Sequence, residues 1–227
     1  FSAVLLSSAI ASCAALANGA YPLTRACETA LALSASPTYV RSGAGAYVLG
    51  EKEYELVRPS TNGYVCLVQR NSNESLIPKC FDQIGQRAHV PVHKQAGKML
   101  RQGNSWEEID EAREKGFKSG DFQTADGHGV VYMASDFNYI VSTDGQSRRK
   151  IWPHVMYHAP NVTNADIASS PRDAFANKGL PFIAGEGPLG YMISLIERPT
   201  DSSDVLTACV GQLPDVSTFS PFPPAGN

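Results

Sequence analysis

Four cysteines, Cys27, Cys66, Cys80 and Cys209, constrain this chain more than any other feature. They form an even set without a C-x-x-C spacing, which argues for disulfides rather than for zinc or a redox centre. Cys66 lies in YVCLVQR and Cys80 in IPKCFD, two strand-like segments joined by the polar turn material NSNES. A cross-strand Cys66–Cys80 bridge fits that arrangement. Cys27 with Cys209 would then tie the two ends of the fold together.

A fifth cysteine, Cys13, sits in a segment of different character. FSAVLLSSAIASCAALANGA carries no charge through Ala20, and its apolar run is too short for a bilayer, which takes about 20 apolar residues. Residues 1–17 read as the apolar part of an export signal, entered downstream of its basic leader. Ala15-Leu16-Ala17 offers a small-x-small cleavage site before Asn18, whereas Ile10-Ala11-Ser12-Cys13 resembles a lipobox that would leave a lipid anchor on Cys13. The apolar run continues to Leu16, which favours soluble release; a buried N-terminal helix is the third reading. The expected location is periplasmic or extracellular, with no later segment long and apolar enough to span a membrane.

With 227 residues, 43% of them hydrophobic, the chain can bury a core of its own. One domain over residues 18–198 is expected, followed by a Pro- and Ser-rich tail over 199–227. The net charge of -3 and pI near 6.0 come without a run of Lys or Arg, so nucleic acid is not an expected partner.

The hydrophobic pattern predicts a short helix over 24–33, then strands over 46–49, 54–58 and 64–70 separated by turn compositions. Helical spacing follows over 94–103 and 105–115. Ser105 and Glu108 form an S-x-x-E capping box, and Gly116 is placed to end the second helix. Strands resume over 130–134, 139–142, 151–158 and 191–196, with Asp144-Gly145 as a turn. The predicted class is α+β: a single antiparallel sheet with a helical insertion packed on one face.

Familiar catalytic motifs are absent. There is no G-x-S-x-G elbow, phosphate-binding loop, dinucleotide glycine pattern, H-E-x-x-H or EF-hand loop, and no cofactor or metal is expected. His154 and His158 are four apart, but in a strand that spacing is roughly 13 Å, too far to share a metal. His89 and His93 pose the same problem with Pro91 between them. A composite site with one histidine from each pair, plus Asp126 or Asp166, is conceivable. The polar segment APNVTNADIA places Asn161, Thr163, Asn164 and Asp166 just past the strand, where such residues form turns and caps or wall a pocket. Asn161-Val162-Thr163 and Asn73-Glu74-Ser75 also match glycosylation sequons.

TNGYVCLVQR, IPKCFDQIG, GVVYMAS, PHVMYHAPNVTNADI and GPLGYMISLI together resemble a family of exported bacterial hypothetical proteins without an established activity. Its pattern runs TNGF-x-C, P-x-CYD and PHVMFYAP-x-x-TNADIG. Tyr64 and Phe81 stand in as aromatic substitutes, and His158 occupies a place more often aromatic, which leaves His154 the better family-wide polar candidate. The resemblance spans residues 35–196 and implies export and a Cys66–Cys80 pair, but no reaction.

Two functions follow as expectations. The preferred one is non-catalytic binding of a small molecule or envelope component near residues 154–166, with Asn161, Thr163 and His158 as ligand contacts. The alternative is a hydrolase with His154 as base, Asp166 as its orienting carboxylate and Asn164 as a polar stabiliser.

Overall fold

The computed structural model describes residues 23–72, 74–142 and 146–222. The expected export signal, Cys13, Asn73 and the Asp144-Gly145 turn lie outside them. Thr24 caps helix α1 (Arg25–Leu33) by accepting from the Cys27 amide, and the short α2 (Thr38–Arg41) follows Pro37. Strands β1 (Gly45–Leu49), β2 (Tyr54–Arg58), β3 (Val65–Gln69) and β4 (Ile77–Phe81) come next. β2 folds back on β1 and β4 on β3, but β1 and β3 run parallel. The expected meander therefore has one parallel joint, because β2 lies at the sheet edge rather than between its neighbours.

The helical insertion comprises α3 (Gln83–Ala88), α4 (Val90–Arg101) and α5 (Trp106–Ser119). α4 starts earlier than its spacing predicted, because Pro91 falls in the first turn, where no amide donor is required. The Ser105–Glu108 capping box forms. α5 runs past Gly116 and ends at Gly120, which adopts φ 83°, the left-handed conformation suited to glycine. Gly116 has another role, since a Cβ there would lie 2.4 Å from the Phe122 ring.

The remaining elements are β5 (Val130–Met133), β6 (Tyr139–Val141), β7 (Arg148–Ile151), β8 (His154–His158), α6 (Pro171–Ala176), β9 (Phe182–Ala184) and β10 (Tyr191–Leu195). The predicted strand over 151–158 divides at Trp152-Pro153. β7 joins β6 in a small sheet, while β8 enters the main one, whose eight strands run β2-β1-β3-β4-β5-β8-β10-β9.

Period-two alternation gives this sheet two buried faces. Leu67, Phe81, Val131, Met156 and Ile193 face the insertion, in one cluster with Val90 of α4. Cys66, Val68 and Cys80 face the other way, against Leu31 of α1. The class is α+β, mostly antiparallel, as expected; α1 adds a helix on the second face.

Residues 199–222, part of the segment 199–227 expected as an extended tail, pack with the domain. Helix α7 (Ser203–Ala208) packs on α1, and β11 (Ser220–Phe222) pairs parallel with β7. Cys27 is bonded to Cys209, and Cys66 to Cys80 directly across the β3–β4 ladder. In the chain-entropy picture the short loop stabilises by about 3 kcal/mol and the long one by roughly 5 kcal/mol. Two disulfides suit an oxidising compartment. Among the described residues no helix is long and apolar enough to cross a membrane.

Candidate functional site

The segment that looked most like a site separates into local roles. His154 begins β8 in the core, only 5% exposed, and its Nδ1 lies 2.6 Å from the Trp152 carbonyl, so Nδ1–H donates there. Burial pushes its pKa down to about 4, against the opposing effect of that hydrogen bond. Asp166 accepts from the Thr163 amide and hydroxyl, each at 2.8 Å. Those bonds hold its pKa below the usual carboxylate value. Asn164 pairs with the backbone of Ile183, giving its Nδ2–H to the carbonyl and accepting from the amide, both at 2.9 Å. It acts as one more rung of the ladder at β9. Asn161 takes a left-handed turn at φ 61°, which asparagine tolerates. The expected His154–Asp166–Asn164 constellation is therefore replaced by a core histidine, a reciprocal Thr163–Asp166 pair of capping-box type and a strand-end pairing.

His158 does meet a carboxylate, from elsewhere in the chain. Its Nε2 lies 3.1 Å from Oδ1 of Asp82, and its Nδ1 lies 3.2 Å from Nε2 of His89. Asp82 is placed by its local sequence: it is the N-cap of α3, accepting from the Gly85 amide at 2.8 Å, while its other oxygen accepts from the Val130 amide at 2.7 Å. Burial acts to raise its pKa, but the bonds from His158, Gly85 and Val130 outweigh it and keep the carboxyl ionised.

An ionised Asp82 fixes the tautomers down the line. It requires Nε2–H on His158; with that ring neutral, its Nδ1 is an acceptor and takes the Nε2–H of His89. The Nδ1 of His89 is thereby left with its lone pair. Burial, then the nearby His158 and Lys79, lower the pKa of His89 to about 3, so its ring is neutral.

Gly129 makes the arrangement possible, since a Cβ there would lie 2.0 Å from Asp82 Oδ2 and 2.9 Å from the His158 ring. His89 is also held by stacking, with ring centroids 5.0 Å from His158 and 4.7 Å from Tyr191. One histidine from each sequence pair thus comes together, as the composite reading allowed, but the acid is Asp82. Asp126 is instead at the surface, paired with Arg87. No group of three or more potential metal ligands converges among the described residues.

His89 forms part of the wall of a cavity of about 140 Å³ between the sheet and helices α4 and α5. An engineered apolar cavity of about 150 Å³ accommodates benzene, which sets the size of what could enter. Gln69, Arg70, Lys79, His93 and Tyr191 also line it.

These side chains carry polar atoms that the protein leaves without partners. Arg70, 2% exposed, gives Nη2–H to Glu28 at 3.2 Å, but its Nε and Nη1 have no acceptor; the Tyr191 hydroxyl and Gln69 Oε1 are likewise unbonded. Lys79 is 9% exposed without an acid partner, its Nζ 5.7 Å from the Tyr191 ring centre, and burial lowers its pKa to about 8. Burial, Lys79, His89 and Arg113 together hold His93 well below the ordinary histidine value.

Sequence reasoning passed over Asp82 and Lys79, although each left a trace. Asp82 stands three residues before Gly85 at the start of a helical run, a helix-cap position. Lys79 interrupts the alternating apolar face Ile77-x-Lys79-x-Phe81, where a charge is out of place. No protein-family model matches the chain, and no curated protein or solved structure matches it.

Proposed function

We propose that this is an exported protein, periplasmic or extracellular, that binds a small anionic molecule in the cavity between the sheet and helices α4 and α5. The observation that carries the reading is the set of buried donors without acceptors. Arg70, Tyr191 and Lys79 line one cavity; Arg70 Nε and Nη1 and the Tyr191 hydroxyl have no acceptor and Lys79 has no acid partner, while Glu28 is engaged by Arg70, Asp82 by His158 and Asp110 by Arg113. Each unmet donor costs about 1–3 kcal/mol, more where it is charged, and an anion would satisfy several at once. If proton transfer accompanies binding, the group placed for it is His89 rather than His154.

The test is calorimetric titration of the disulfide-intact protein with acetate, lactate, oxalate and phosphate, repeated on Lys79→Met and Tyr191→Phe. Saturable binding of at least one anion, weakened tenfold or more in both variants, is the expected result. If no anion binds, or binding is indifferent to both substitutions, the cavity holds only water and the reading fails.

A further inference from the structure

The geometry points to covalent capture as well as binding: Lys79 condenses with the carbonyl carbon of a small 2-oxo acid to form an imine inside the cavity. This deepens the anion-binding reading and rests on it.

The first observation is the setting of Lys79. It projects from β4 into the interior with no hydrogen bond and no carboxylate partner, and the groups that feel its charge or face it are aromatic and basic: Tyr191, His89, His93 and His154. A lysine kept to stabilise the fold would be expected to hold polar partners, as the buried Arg70 does with Glu28 and the buried Arg41 does with Asp204 and three backbone carbonyls. Burial without a counter-ion is instead what makes an amine a nucleophile near neutral pH, because desolvation favours the uncharged form.

The second observation is what shares the cavity. Imine formation needs groups that pass protons while water is expelled. The Tyr191 hydroxyl, which has no protein partner, and His89, whose Nδ1 lone pair is left free by the hydrogen-bonded line from Asp82, both line the same wall.

The third observation is charge and size. An iminium keeps the positive charge of the lysine it replaces, and a carboxylate on the adjacent carbon neutralises it within the ligand. That relieves the burial of an unpaired cation in a way a simple aldehyde cannot. The cavity takes about six heavy atoms by comparison with benzene, the size of the smallest 2-oxo acids.

The step balances. The neutral Lys79 nitrogen adds to the carbonyl carbon, and the π pair moves to oxygen, which takes a proton. Nitrogen loses a proton; the hydroxyl takes a second proton, the one the ammonium gave up on becoming neutral, and leaves as water as the nitrogen lone pair forms the C=N bond. Counted from the ammonium, one ammonium and one carbonyl become one iminium and one water, with no electron gained or lost.

The experiment is reductive trapping. The disulfide-intact protein is incubated near pH 7.5 with glyoxylate or pyruvate and sodium cyanoborohydride, and the adducts are located by peptide mass spectrometry. The expected result is a carboxymethyl or 1-carboxyethyl group on Lys79, formed saturably and at least tenfold faster than on any other lysine. It should be suppressed by excess oxalate and absent from Lys79→Met, whose surface lysines report the background rate.

Modification of Lys79 no faster than of the surface lysines overturns the inference. If lactate or oxalate then still binds by calorimetry, the anion-binding reading stands alone; if neither binds, both fall.

Discussion

The Nε2 of His89 and the Nδ1 of His158 lie 3.2 Å apart, a hydrogen bond that joins the helical insertion, where His89 sits between α3 and α4, to strand β8 of the sheet. It is directional because Asp82, on the far side of His158, decides which nitrogen carries each proton. Asp82→Asn keeps a side chain that can cap α3, but an amide offers one acceptor where the carboxylate serves Gly85, Val130 and His158. A loss of about 2 kcal/mol is expected in urea unfolding. Nitrogen NMR of the imidazoles should show the Nε2–H forms of His89 and His158 in the wild type and a mixture in the variant.

Acid should weaken the fold well before its carboxylates titrate. His154, His89 and His93 all have folded-state pKa values below the ordinary 6.5, with the first two at about 4 and about 3. Between those values and 6.5 the unfolded chain binds protons that the folded chain refuses. Their contribution is therefore complete above pH 6.5 and falls as pH drops toward 4, by roughly 1 kcal/mol per pH unit for each histidine. Urea midpoints measured from pH 7.5 to 4.5 should decline throughout. A flat profile down to pH 5 would mean these rings are more hydrated than their burial indicates.

Lys79 titrates in the opposite region with the same sign of slope. Its folded pKa of about 8 lies below the ordinary 10.5, so between them the unfolded chain again holds the extra proton and stability rises with pH. Lys79→Met should remove that rise and, near pH 7, stabilise the ligand-free protein by about 1–3 kcal/mol. Unfolding of both proteins at pH 7, 8.5 and 10 checks the slope and the offset together.

Gly129→Ala tests the packing beneath the line of hydrogen bonds. The new methyl would fall on Asp82 Oδ2, which cannot retreat without leaving the Val130 amide. A loss of about 2–4 kcal/mol is expected, together with loss of the tautomer signature of His158. Stability within 0.5 kcal/mol of the wild type, on the order of an ordinary surface substitution, would show that the backbone yields there.

Much of the scaffold is legible in local sequence, because capping chemistry and period-two alternation act over a few residues. The Ser105–Glu108 box, the Cys66–Cys80 rung and the start of α1 at Thr24 are of this kind. What stayed hidden depends on distant partners. His158 and Asp82 are 76 residues apart, and His158 and His89 are 69 apart, so no spacing rule joins them. The richest polar stretch, around residues 161–166, misled for a physical reason: Asn, Thr and Asp bond their own backbone so readily that their density marks turns as often as sites. Lys79 is the converse, a single residue whose meaning lies in the absence of a partner.

The bond between Cys27 and Cys209 joins positions 182 residues apart, so nearly all of the described domain belongs to one covalent ring. A peptidase that cuts any one loop within that ring opens it without releasing a fragment: the severed pieces stay attached through the sulfur bridge and held in register by the eight-stranded sheet. In an oxidising compartment, where the bridge persists, a single nick would leave the cavity assembled, and only a second cut or a reductant would let the halves part.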